Sequence, residues 1–248
     1  MNLQKEMAKL PQTETDLKPP YWEYWRWQLW DLAQCNDPAT FMRWPCVYHT
    51  MLHNHWRNAI LQEYLQLPEN IKQLIKAPKH CTDGLFNDAD SLSLVHQLSN
   101  FHKWQEETGL KLSNLKTIYE FGGGFGQSVI AARRLGFTGK YYIYDLPEFA
   151  LLQQWYLSEN NTPATWLKRI TKRKVDLLFA SYSLSETDYG LRDKVINAVK
   201  AKSYLFLYSN KFEDYDNINY FQNLDLGKEW MHQRLDHLPP ESWYSFGR

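Results

Sequence analysis

The sequence predicts an α/β fold: a seven-stranded, mostly parallel sheet covered by helices and closed by a C-terminal antiparallel pair, with an N-terminal helical cap. Three observations predict it. From about residue 115 onward, short apolar runs rich in β-branched and aromatic residues alternate with helical stretches, as parallel strands and their crossover helices do. The tail breaks that rhythm, because Trp230 to Leu238 and Ser242 to Phe246 flank Pro239-Pro240 with no room for a helix, which leaves an antiparallel pair. Before residue 110 glycine is almost absent and aromatic residues are dense, the texture of helices and loops. A chain of 248 residues holds one α/β domain and a helical extension, so the expected division is a cap over 1–110 and a core over 111–248.

Within the cap, Tyr21 to Trp30 follows Pro19-Pro20 and reads as an amphipathic helix with wide aromatic coverage. Rings of this kind serve core packing, subunit contact or stacking on a ligand, so the cap is a candidate surface for a homodimer. His49 and His53 would share a helical face, with His55 close by, but Thr50 stands where a zinc helix of the type HExxH has its Glu. No metal is expected. From Ser91 to Thr108 the residues Leu92, Val95, Leu98, Phe101 and Trp104 mark one helical face, with Ser91 placed to cap the start and Gly109 to stop the end. Strands are expected at Lys116 to Phe121, Lys140 to Tyr144, Ala164 to Leu167, Val175 to Ala180 and Ser203 to Tyr208, ahead of the closing pair.

Composition narrows the function. Apolar residues make up 44% and aromatics 16%, enough to fill a core. Lys plus Arg and Asp plus Glu both number 28, so no excess positive charge is available for a polyanionic backbone and nucleic acid is not the expected partner. The local basic group Lys168, Arg169, Lys172, Arg173 and Lys174 reads as a solvated loop. Cys35, Cys46 and Cys81 are odd in number and widely spaced, which fits neither a disulfide framework nor a zinc site. No stretch approaches the roughly 20 apolar residues of a membrane span, and the first residues lack an apolar signal region. A cytoplasmic location without membrane insertion is expected.

The chemistry is concentrated at Thr117 to Val129, where an apolar strand, an acid, a glycine turn and a helix start follow in order. Glycines permit positive φ and close approach of a ligand to the backbone, and the helix start offers free N–H groups. The dinucleotide fingerprint GxGxxG fails because its third glycine would fall at Gln127 or Val129, and the P-loop fails for want of GK[ST]. What remains is Glu120 ahead of Gly122, Gly123, Gly124 and Gly126. A carboxylate there repels pyrophosphate but tolerates a cation, which favours S-adenosylmethionine (SAM), with S-adenosylhomocysteine (SAH) as its product. Asp145, at the tip of the second strand, can accept ribose hydroxyls, and it could also cap the helix that starts at Pro147.

Glu120 to Gly126 and Asp145 to Glu148 resemble the first two motifs of class I SAM-dependent methyltransferases. The phrase Asp145-Leu146-Pro147-Glu148 and the segment Ser181-Tyr182-Ser183-Leu184-Ser185-Glu186 resemble, more narrowly, the bacterial sugar O-methyltransferase group. The resemblance covers roughly residues 115 to 210. It implies a Rossmann-like core and places Leu146 and Ser181 beside the cofactor with Glu120, the four glycines and Asp145. No acid between Asn160 and Lys174 is offered for the adenine amino group.

Methyl transfer to an alcohol needs a base to take its proton. Glu186, after the fourth strand, is the foremost choice, against helix capping at Ser185-Glu186; His102, on the helix before the first strand, is the second, against ordinary packing. Tyr182, Tyr208 and Asn210 are expected on the same rim, where aromatic and amide groups suit a small polar acceptor, carbohydrate or nucleotide-linked. The expected function is O-methylation of a hydroxyl or phosphate-like oxygen of a sugar, nucleotide sugar or surface-polysaccharide precursor. Methylation of nitrogen is disfavoured, because the Asn-Pro phrase of amino-group methyltransferases is absent at Ser181 to Leu184; a non-catalytic SAM-binding subunit is the other alternative.

Overall fold

The computed structural model describes residues 1–248 except 12–20, 53–55, 225, 227–228 and 239–240. The cap comprises α1 (Leu3–Met7), α2 (Tyr21–Cys35), α3 (Pro45–Thr50), α4 (Arg57–Gln66) and α5 (Glu69–Lys72). The long α6 (Leu92–Thr108) then leads into the sheet. Its ends are as the sequence specifies: Ser91 Oγ accepts from the Leu94 amide, and Gly109 ends the helix at φ 69°. All five positions of its apolar face are fully buried, each contributing on the order of 1.5–3 kcal/mol of transfer free energy. Trp104 Nε1 donates to Ser203 Oγ at 3.0 Å, which gives the buried indole N–H a partner and ties α6 to the sheet.

The core runs β1 (Thr117–Phe121), α7 (Gln127–Arg134), β2 (Lys140–Tyr144), α8 (Pro147–Glu159), β3 (Thr165–Leu167), β4 (Arg173–Ser181), α9 (Tyr189–Ala198) and β5 (Val199–Ser209). A short hairpin of β6 (Lys211–Phe212) and β7 (Tyr215–Asp216) follows, then α10 (Asn217–Gln222), β8 (Trp230–Leu235) and β9 (Ser242–Gly247). The main sheet has seven strands in the order β3-β2-β1-β4-β5-β9-β8. β1 to β5 are parallel, and β9 lies antiparallel between β5 and β8, as expected for the tail. Pro239-Pro240 and the helical continuation through His53 and His55 fall outside the described residues.

β4 begins two residues and β5 four residues before the apolar runs that announce them. In β5 the exposed Lys200 and Lys202 alternate with buried Val199, Ala201 and Ser203, so the strand's first half has the period of two without being apolar. The two-residue strands β6 and β7 are too short to leave any periodic signal. Each face of the sheet carries its own apolar cluster. One extends without a break from Leu29, Phe41 and Ile60 of the cap through α6, α7 and α8 to Ile143 and Phe179; the other packs α9 and Phe221 of α10 against Tyr119, Leu178 and Phe206. The cap is thereby part of the same hydrophobic core as the sheet. Among the described residues no helix is long and apolar enough to cross a membrane.

Candidate functional site

β1 lies between β2 and β4, and the chain crosses from one side of it to the other, so its carboxyl end is the switch point at which open α/β sheets bind ligands. A cavity of about 350 Å³ lies there. Its floor includes Glu120, Gly122, Gly123, Gly124 and Asp145, one wall carries Ser181, Tyr182 and Glu186, and the cap contributes Tyr21, Trp22, His49, Met51 and Trp56.

The glycine turn is shaped by three different needs. Gly122 sits at φ +70°, and a Cβ there would lie 2.3 Å from the Cβ of Ser183, whose hydroxyl donates to the Phe121 carbonyl. The turn after β4 thus packs directly on the turn after β1. A Cβ added to Gly124, at φ +55°, would meet nothing nearer than Met51 at 3.9 Å, so the space over it belongs to the cavity. Gly126, at φ +100°, is covered by Leu157 and does not line the cavity; it makes room for α8 against the start of α7.

Three carboxyl groups face this space, and burial raises all three. Glu120 is 2% exposed, and Ser128 Oγ lies 2.7 and 2.8 Å from its two oxygens. Burial outweighs the hydrogen bonds of Ser128 and Tyr141 and, with the neighbouring Asp145, pushes its pKa up to about 8. Burial lifts Asp145 to about 7 against the hydrogen bonds it accepts. Those come from the Leu146 amide at 2.7 Å on Oδ1, and from the Gly123 amide at 2.8 Å and Gln153 Nε2 at 2.6 Å on Oδ2. Oδ1 therefore keeps a lone pair for a ligand hydroxyl. Asp145 does not cap α8, whose N-cap is Leu146 with no side-chain cap bond. Glu186 is raised to about 7 by burial alone. Among the described residues no hydrogen bond or ion pair holds its carboxylate, and it does not cap α9, because Asp188 accepts from the Leu191 amide in that role.

Besides Gly126, the structure places three expected site residues away from the cavity lining. His102 is half-buried on α6 with Glu106, Lys111 and Lys103 as its charged neighbours, and does not line the cavity. Tyr208 points to the opposite face of the sheet, where its ring stacks on Phe221 at 4.3 Å and its hydroxyl meets His232 and Ser245; its neighbour Ser209 faces the cavity instead, as strand alternation requires. Asn210 is occupied by Glu241 and by Trp243 Nε1. Asn217 is spent on the Ser209 carbonyl at 2.9 Å. Leu146, Ser181 and Tyr182 do line the cavity. Tyr182 holds φ 63°, ψ −36°, an unusual conformation for a residue with a Cβ, and hydrogen-bonds Ser242 at 2.9 Å. His49 reaches the cavity beside Trp25, whereas Lys168, Arg169 and Lys172 before β4 and Lys174 at its start are exposed to solvent. Lys211, which ends the Tyr208-Ser209-Asn210-Lys211 stretch expected on this rim, and Phe212 of the β6–β7 hairpin complete it, and nothing in the sequence singles out Phe212. Among the described residues no group of three or more His, Cys, Asp or Glu side chains is arranged to hold a metal ion.

No family model and no curated protein matches the chain. Among solved structures, a SAM-dependent methyltransferase from Aquifex aeolicus is similar at 18% identity, covering 59% of this chain and 87% of that one with a TM-score of 0.45. A precorrin-6y C5,15-methyltransferase from Geobacter metallireducens is similar at 14% identity over 64% of this chain and 88% of its own, TM-score 0.43. The Pyrococcus abyssi tRNA (uracil-54, C5)-methyltransferase in complex with SAH is 15% identical over 64% of this chain and 38% of its own, TM-score 0.45. Likenesses this distant carry no substrate across. The strand order, with β9 alone running against the rest, is that of a Rossmann-like α/β fold, and the glycine turn lies at its switch point.

Proposed function

We propose that the protein is a SAM-dependent methyltransferase that acts on a hydroxyl of a small polar acceptor. One observation carries the reading: a cavity at the switch point gathers three carboxyl groups, the buried Glu120 and the partly exposed Asp145 and Glu186, raised to between about 7 and 8, while the Lys that shares its lining is exposed at the rim. A cationic ligand in such a cavity draws these carboxyls into their charged form and gains their attraction, a compensation that a pyrophosphate does not receive.

The residues present fit SAM. The open space over Gly124 admits a ligand against the backbone, Asp145 Oδ1 can take a ribose hydroxyl, and Leu146, Phe149 and Trp22 offer apolar surface for an adenine ring. Glu120, which burial holds largely protonated near neutrality, can ionise beside the cationic amino acid end and so supply it with negative charge. When bound, the cofactor supplies a methyl carbon already activated by its sulfonium. The chain's own contribution is alignment, exclusion of water beneath α2 and α3, and removal of the acceptor proton. Glu186 suits the proton transfer, because a carboxyl raised to about 7 is half ionised near neutrality and takes up a proton at little cost. Tyr21, Trp22 and Phe212 give the cavity flat apolar walls, which suit the faces of a sugar ring and support a carbohydrate as the acceptor.

The test is incubation of the pure protein with SAM and a panel of glycans, nucleotide sugars and amines, with SAH formation as the readout. Turnover of a hydroxyl acceptor is the expected result. Turnover confined to amines would replace O-methylation with N-methylation, and tight SAH binding with no turnover across the panel would favour a cofactor-binding subunit.

A further inference from the structure

Arg192 is a buried cation that the cofactor reading leaves unused, although it stands directly behind the cavity wall. It lies on α9, is 0% exposed, and forms no ion pair among the described residues. A guanidinium hidden in this way must be held by groups that compensate for its lost hydration. Two kinds do so here. Its Nη2 donates to the Ser185 carbonyl at 2.6 Å and its Nε to the Thr187 carbonyl at 2.9 Å, so the residues on either side of Glu186 are fastened to one rigid fork. Around the fork stand four rings, Tyr189 at 5.0 Å, Tyr220 at 5.1 Å, Tyr215 at 5.4 Å and Phe221 at 5.8 Å. Tyr215 belongs to β7, whose partner β6 carries Lys211 and Phe212 into the cavity.

Resting on the reading of Glu186 as the acceptor-side base, we propose that Arg192 is a positioning residue that assembles the acceptor half of the site: its hydrogen bonds aim the Glu186 turn into the cavity, and its ring contacts seat the β6–β7 hairpin opposite it. The alternative, a purely structural cation, does not account for both hydrogen bonds falling on the carbonyls that flank Glu186. The turn is closed locally by Ser185 Oγ on the Tyr182 carbonyl and Thr187 Oγ1 on the Leu184 carbonyl, its entry is tied to β5 by the Tyr182 amide on the Leu207 carbonyl, and Leu184 is buried; none of these bonds is made by Glu186 itself. The turn is a single 3-10 turn, Ser183–Glu186, entered through the positive φ of Tyr182. Ser183 fixes its start to Phe121, and Arg192 fixes its end. Tyr21 of α2 and Tyr182 are the titratable groups that sense the Glu186 charge.

The experiment reads the position of Glu186 without requiring turnover. The full chain is labelled with carbon-13 at its glutamate carboxyls, the Glu186 signal is assigned by its loss in Glu186→Gln, and its titration is followed by NMR in the wild type, Arg192→Met, Arg192→Lys and Val195→Ala. SAH affinity is measured on each by calorimetry. Arg192→Met frees the turn to reach solvent, so the Glu186 midpoint is expected to drop by about one pH unit or more, with SAH affinity within about twofold because the glycine turn is untouched. Arg192→Lys keeps the charge among the rings but reaches only one carbonyl, and its midpoint is expected between the two. Val195→Ala removes a fully buried contact of the same helix and is expected to leave the midpoint in place. An unchanged midpoint in both Arg192 variants, or an equal drop in Val195→Ala, would overturn the proposal. If Arg192→Met does not fold, the Lys variant decides alone. Should no acceptor ever be methylated while the midpoint drops as expected, the function fails and the positioning role stands.

Discussion

Two side chains concentrate the chemistry at the scale of the residue. Asp145 accepts three hydrogen bonds from its own protein and has a lone pair left on Oδ1. Its replacement by Ala is expected to weaken SAH binding by the value of one charge-assisted bond, about 1.5–3 kcal/mol or roughly 10- to 100-fold in Kd, measured by calorimetry. An unchanged affinity would remove it from the ribose role. Glu186 carries a stability signature as well as a catalytic one. Its folded pKa, about 7, lies above the ordinary 4.5, so the neutral form is favoured on folding and the charged form is penalised. Stability is full below the ordinary value and is lost as pH rises through about 7. Glu186→Gln is therefore expected to unfold like the wild type at pH 4 and to be more stable at pH 8, by up to about 3 kcal/mol, in urea titrations at the two pH values. The same variant should lose about 10²- to 10⁴-fold in turnover while binding SAH normally.

Turns decide more than strands at the scale of the element. The glycine turn packs on the 183–186 turn at Gly122 and opens to the cavity at Gly124, two positions apart with opposite consequences. Gly122→Ala places a methyl 2.3 Å from Ser183 Cβ at a φ that disfavours any side chain, so a fall in Tm is expected, together with a displaced Glu186 turn. At Gly124 an added Cβ meets nothing nearer than 3.9 Å, so Gly124→Leu should cost mainly the strain of its positive φ and send its side chain into the cavity. Circular dichroism close to wild type with SAH binding abolished is the expected pair of results. Full SAH affinity in Gly124→Leu would place the ligand elsewhere.

For the whole molecule, two buried ionic groups join the cap to the sheet. Arg26 of α2, 2% exposed, grips Glu148 at the start of α8 through Nε at 2.7 Å and Nη2 at 3.0 Å, and also reaches Glu23. Removing one partner strands the other charge, so Arg26→Ala is expected to cost about 3–5 kcal/mol in urea unfolding, most of it recovered in the apolar double variant Arg26→Met, Glu148→Leu. If the double variant is as unstable as the single, packing rather than charge holds α2. Glu63 of α4 meets His96 of α6 at 2.9 Å and His237, beyond β8, at 3.1 Å. Burial pushes this carboxyl up, but the two histidines outweigh burial and hold it below its usual range. A lowered pKa gives stability that is present above the ordinary carboxylate value and lost as pH falls through the folded one. Acid melting should therefore shift to lower pH in Glu63→Gln relative to that variant's own neutral Tm; equal acid profiles would remove the cluster from the acid transition.

Across these scales, the sequence by itself determined what is local in the chain. The α6 caps at Ser91 and Gly109, the alternation of strands and helices, the antiparallel tail and the order acid, glycine turn, helix all depend on neighbours within a few residues, where periodicity and backbone sterics act. Which side chains share a cavity depends on faces and crossovers, and only the tertiary structure decided that. Tyr208 and Ser209 are adjacent in sequence, yet the pleat sends one into the opposite core and the other to the rim. Arg192 carries no motif and acquires its place only when α9 folds back beneath the Glu186 turn. Tyr21 and Trp22, a helix and a crossover away from the glycine turn, announce themselves only as aromatic surface; it is the shared apolar core of cap and sheet that brings them over it.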